Sequence, residues 1–115
     1  MQLRSDTDPI RDQIFAQVAK ADVVIMSGNL LAVALYFRLG ETDAPIVLAK
    51  GRALTAPVIK EAAITARVYI YEDRDVAELL YPVADVGFYI PKSTYQPVAR
   101  ILADVCKRTG NEFLY

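Results

Sequence analysis

Val23-Val24-Ile25-Met26, Ser27-Gly28-Asn29 and Leu30-Leu31-Ala32-Val33-Ala34-Leu35-Tyr36-Phe37 follow one another without interruption, and their reading decides the fold. The first run is short, β-branched and uncharged, which suits a strand buried on both faces. Ser27, Gly28 and Asn29 carry turn chemistry, and the apolar run 30–37 predicts a second buried strand. That run is far too short for the roughly 20 residues of a membrane helix. Two strands that are apolar on both faces need cover on both sides, which favours an α/β arrangement.

The flanks supply that cover. Asp8 followed by Pro9 reads as a helix start, the carboxylate capping free N–H groups and the proline pre-set for the first turn. Ile10, Ile14 and Val18 recur every four residues behind it. Beyond the polar loop 38–45, residues 46–49 read as a third strand. Lys50, Gly51 and Arg52 lead to a helix capped by Thr55, with Pro57 in its first turn and Ile59, Ala62 and Ala63 facing inward. Residues 67–71 alternate as a fourth strand. Asp73 or Asp75 then caps a short helix carrying Val76, Leu79 and Leu80, which ends between Pro82 and Gly87. Val98, Ile101, Leu102 and Val105 mark a last helix that starts at a Thr94 cap and stops at Gly110. The expected fold class is α/β, a small central and mostly buried sheet of about four strands flanked by about four helices on both faces. The chain is expected to form one domain over 1–115, with a helical lead-in 8–20 and a globular core 21–110.

Composition narrows the function. A hydrophobic share of 54% exceeds the usual roughly 45–50% and is enough for a core. Thirteen Lys and Arg against fourteen Asp and Glu leave no electrostatic footprint for nucleic acid or an anionic membrane surface. Histidine is absent and Cys106 is the sole cysteine, so Ser-His-Asp and Cys-His arrangements and a Cys-based zinc site cannot be assembled. No cofactor and no metal is expected. Residues 1–8 lack signal-peptide character.

Read in order, several short pieces carry a resemblance: Ala21-Asp22-Val23-Val24-Ile25, Ala32-Val33-Ala34-Leu35-Tyr36, Gly40-Glu41-Thr42, Ala44-Pro45-Ile46-Val47, Ala49-Lys50-Gly51, Glu72-Asp73, Leu80-Tyr81, Val86-Gly87 and Ile90-Pro91. Their order and spacing over residues 21–105 resemble the cytoplasmic domain of the FlhB/YscU family of type III secretion and flagellar export-apparatus proteins. The resemblance implies a component that takes part in export and in switching the class of substrate exported. It also implies a place in the cytoplasm at the inner face of a bacterial inner membrane, and partners among other export components, secreted substrates or their chaperones. In that family a membrane-embedded half precedes the domain, so membrane contact is expected only through such a half or a partner. The chain is expected to be either an excised piece beginning with an added Met1 or a free-standing homologue.

The family cleaves itself in an Asn-Pro-Thr-His loop, where the Asn amide nitrogen attacks its own carbonyl carbon and expels the proline nitrogen. The aligned positions here are Ser27, Gly28, Asn29 and Leu30, so autocleavage is not expected and no catalytic residue is assigned. Attack by Ser27 Oγ on the Met26 carbonyl would need a strained peptide, which Gly28 relaxes. Cyclisation of Asn29 is displaced and followed by bulky Leu30. A permissive turn is the favoured reading.

Lys50, Gly51 and Arg52 between strand and helix could meet an anion, but no P-loop pattern accompanies them. Glu72, Asp73, Asp75 and Glu78 could hold a hard cation, yet a helix start explains them more simply. Among the seven tyrosines, Tyr89 and Tyr95 join Lys50 and Arg52 as candidate partner-binding residues. Cys106 reads as a small core residue. The competing class is a free-standing α/β ligand-binding or small enzymatic domain sharing only the fold.

Overall fold

The computed structural model describes residues 8–110. The expected span 1–115 therefore extends past the described residues at both ends, and the reading of residues 1–7 lies outside them. Ten-residue helix α1 (Pro9–Val18) starts where Asp8 Oδ1 accepts from Ile10 N and Arg11 N, with Pro9 in the first turn as its fixed φ favours. Strand β1 (Val23–Ser27), β2 (Leu31–Tyr36) and β3 (Ile46–Arg52) follow, then α2 (Thr55–Ala66), β4 (Tyr69–Glu72) and α3 (Arg74–Leu80). Two 3₁₀ turns, Tyr81–Val83 and Lys92–Thr94, precede α4 (Tyr95–Thr109).

The sheet order is β3-β2-β1-β4, with β1 antiparallel to β2, β2 antiparallel to β3, and β1 parallel to β4. β1 is central and every one of its residues is buried, as its uninterrupted apolar run requires. Its alternate side chains feed two cores. Val23 and Ile25, with Val33, Leu35 and Val47, pack against Ala77 and Leu80 of α3 and Val98, Ile101, Leu102, Val105 and Cys106 of α4. Val24 and Met26, with Ala32, Ala34 and Ala49, pack against Val18 of α1 and Ala56, Ile59, Ala62 and Ala63 of α2. Among the described residues, a four-stranded sheet with two helices on each face is the α/β architecture expected from the sequence.

Several local expectations are corrected. Lys50, Gly51 and Arg52 belong to β3, pairing with Val33, Ala32 and Leu31, rather than to a loop. Thr55 is not the cap of α2: Leu54 occupies that position without a side-chain hydrogen bond, and Ala53 before it takes a left-handed φ of 53°. The longer strand explains both, because chain committed to β3 leaves only Ala53 and Leu54 to reverse direction. Thr94 stands at the cap of α4, but its hydroxyl donates to Pro91 O at 2.7 Å and caps nothing. Ile10 and Leu79 keep their helical spacing but are exposed. Asp73 caps α3 through Val76 N, and Gly110 ends α4 with φ 74°.

Candidate functional site

The turn between β1 and β2 is closed by Leu30 N donating to Ser27 O at 2.9 Å. Gly28 has φ 52°, and Asn29 is not among the residues with positive φ. Ser27 pairs with Leu31, so three residues, 28–30, make the turn, and glycine takes the positive φ at its first position without strain. Proline is held near −65°, so this backbone has no place for it at position 28.

Neighbouring elements fix the turn from two sides. Gly28 N donates to Glu72 Oε2 at 2.6 Å, and Asp73 N donates to Met26 O at 2.9 Å. On the other side Ala53 N donates to Leu30 O at 3.0 Å. Asn29 and Leu30 project outward, while Ser27 is 6% exposed. Its hydroxyl has no hydrogen-bond partner among the described residues. A buried serine hydroxyl that is hydrogen-bonded to no base is not an activated nucleophile in this arrangement.

The candidate partner-binding residues are scattered. Lys50 Nζ donates to Tyr81 O at 3.1 Å and sits 4.7 Å from the centre of the Tyr81 ring, so its charge is engaged within the domain. Arg52 is exposed at the end of β3. Tyr89 is exposed on the segment that runs along β3, joined to it by a bridge between Ile46 and Tyr89. Tyr95 lines an apolar groove of about 180 Å³ with Phe37, Asp43, Ala44, Pro45, Ala99 and Leu102. The groove lies where the loop after β2 meets α4. Tyr95 was the one signal for it in the sequence; Phe37, Ala44, Pro45 and Ala99 meet only through the fold.

The acidic residues at the β4–α3 junction do not converge. Glu72 holds Gly28, Asp73 caps α3, and Glu78 pairs with Arg74 at 3.1 Å. No group of three potential ligands able to hold a metal exists among the described residues. Nor is any described helix long and apolar enough to cross a membrane. The position of Glu72 opposite Met26 in the parallel pairing, which brings it to Gly28, has no signal in sequence periodicity.

Solved structures place this architecture among export-protein domains. A mutant EscU C-terminal domain matches with a TM-score of 0.80 and 26% identity, covering 90% of this chain and 95% of that one. The cytoplasmic domain of FlhB from Shewanella putrefaciens matches with a TM-score of 0.77 and 28% identity, over 87% of this chain and 80% of that one. Residues 2–105 match the model of the FlhB HrpN YscU SpaS family, and the chain belongs to that family. Flagellar biosynthetic protein FlhB of Buchnera aphidicola subsp. Schizaphis graminum is 37% identical over 98 residues, 85% of this chain and 26% of its own length. FlhB of Escherichia coli K12 is 37% identical over 93 residues, 81% of this chain and 24% of its own. The chain thus spans about a quarter of the length of these curated relatives. The kinship is of family as well as fold, as the resemblance implied, and it sets aside the competing class of an α/β domain sharing only the fold.

Proposed function

We propose that this domain works as a cytoplasmic component of a type III protein export apparatus, in export and in switching substrate class, and that its β1–β2 turn stays uncut. Family membership and likeness to flagellar biosynthetic proteins support the first part. The observation that carries the second is the Gly28 backbone: φ 52°, with its N–H held by Glu72, at the position where the family's loop aligns its proline. Self-cleavage of that loop needs an amide nucleophile and a proline nitrogen as leaving group. Ser27 offers no amide. Gly28 also takes its positive φ without strain, which leaves none there to drive an attack by Ser27 Oγ on the Met26 carbonyl.

The partners proposed are other export components and extended segments of exported proteins or their chaperones, at the inner face of the bacterial membrane. The apolar groove beside Tyr95 supports a peptide-docking role, since it presents buried walls at Ala44, Pro45 and Leu102 around exposed Ala99. Tyr89 and Arg52 are proposed to extend contacts along the β3 side.

Intact mass of the fresh chain and of the chain after prolonged warm incubation tests the uncut turn. One unchanged species is the expected result; fragments splitting between Met26 and Leu30 would refute it. Crosslinking with export-apparatus components tests the assignment to the machine, and failure to capture any of them would count against it.

A further inference from the structure

We infer that Glu72 is a positioning residue that latches the β1–β2 turn to the corner where β4 passes into α3, so that turn and corner move as one unit. Glu72 is exposed, and among the described residues its carboxylate has no cation partner; its hydrogen bond goes to the Gly28 amide across the sheet. A short N–H to carboxylate bond of 2.6 Å belongs to the stronger, charge-assisted kind. One residue on, Asp73 N donates to Met26 O, while the Asp73 side chain accepts from Val76 N at the start of α3. The chain of contacts therefore runs Gly28, Glu72, Asp73, Val76, and a force on α3 is passed to the tip of the β1–β2 hairpin. Gly28 itself cannot anchor the tip by packing: the space beside its Cα is open, with nothing within 4 Å of a Cβ placed there. The turn is thus held from this side by a surface carboxylate, which is a breakable fastening and not a core contact.

The latch also depends on glycine in a second way. A residue without an N–H at position 28 would leave Glu72 nothing to hold. The inference presupposes an intact turn, which the mass measurement above tests separately.

Hydrogen exchange of the full chain by NMR, with Glu72→Ala and Glu72→Gln variants and Glu78→Ala as an exposed acidic control, tests the latch. Glu72→Ala should speed exchange at Gly28 by roughly 10- to 100-fold and hasten chymotryptic cleavage after Leu30, with Val24 and Ile25 unchanged. Glu72→Gln, which keeps one acceptor oxygen, should fall between parent and Glu72→Ala, and Glu78→Ala should match the parent. If Gly28 exchange and cleavage after Leu30 are the same in both Glu72 variants as in the parent, the latch is overturned. If Glu72→Ala loses the fold as a whole, Glu72→Gln decides by the same two readings. Fragments appearing in the parent before protease is added would strike the uncut-turn reading instead, and exchange at Gly28 would still be read on the intact fraction.

Discussion

The Tyr71 hydroxyl donates to Asp104 Oδ2 at 2.6 Å, joining edge strand β4 to helix α4 across the surface of one core. That hydrogen bond, with a second from Arg108 Nε at 3.1 Å, holds the Asp104 carboxyl below its ordinary range. The same bond, followed by burial, raises the Tyr71 phenol. Depressed Asp104 stabilises the fold above its unfolded pKa and loses that contribution as pH falls through the folded value. Raised Tyr71 stabilises below the ordinary phenol value and loses its share as pH rises through its higher folded value. Tm measured from neutral pH downward should fall less steeply below about pH 4 in Tyr71→Phe than in the parent. Identical slopes would show that the bond contributes nothing in solution.

At the opposite end of the hairpin, Asp22 accepts from Phe37 N at 2.8 Å and pairs with Arg38 Nη1, its side chain only 7% exposed. Asp22→Ala would strand the Phe37 amide and a partly exposed guanidinium. A loss of about 1–3 kcal/mol is expected, held to that range because Arg38 is 38% exposed and partly hydrated. Asp22→Asn keeps an acceptor for Phe37 and should lose less. Urea midpoints of the three proteins order the effects, and equal midpoints would dismiss the contact.

Gly51 is required by closeness and not by backbone angle. A Cβ there would lie 2.5 Å from Thr55 Cγ2 and 2.8 Å from Thr55 Cβ, where β3 and the first turn of α2 approach. Gly51→Ala should cost about 1–3 kcal/mol by overpacking. Pairing it with Thr55→Ala should recover part of the loss, a coupling that a double-mutant cycle reads directly. Additive losses would place the strain elsewhere.

Gly28 presents the reverse case, with open space and a left-handed φ. Gly28→Ala should cost about 1–2 kcal/mol through the backbone alone, without disturbing neighbours. Ser27→Ala, by contrast, removes a buried hydroxyl that has no partner and should leave the stability unchanged or raise it slightly. A large loss on Ser27→Ala would reveal a hydrogen bond made through solvent.

Ala99→Glu places a charge in the apolar groove at an exposed position, so the melting temperature should stay within a few degrees of the parent. Binding of export-substrate segments, measured by fluorescence anisotropy, should fall by tenfold or more if the groove receives apolar side chains. Unchanged binding would move the docking surface to another face.

Element order, both buried strands, the inward residues of α2 and α4 and the core role of Cys106 were legible, because each depends on local periodicity and on runs too apolar to meet water. Caps and strand ends were read less well. Thr55 has the chemistry of a cap, but pairing with β2 carried β3 through Arg52 and shifted the helix entry to Leu54. Ile10 repeats at helical spacing, yet it stays exposed while Ile14 and Val18 further along α1 reach the core.

The sequence by itself determined the class of fold, the family and the turn chemistry at 27–29, since these rest on residue type and order along the chain. What Glu72, Lys50 and Tyr95 do was decided only by tertiary structure. Glu72 reaches Gly28 from 44 residues away because β4 pairs parallel to β1 with Met26 opposite Glu72. Lys50 is taken up by Tyr81, and Tyr95 gains its groove from a loop on the far side of the chain. Strand register and helix docking are set by burying both cores at once, a condition of the whole chain that no local stretch contains.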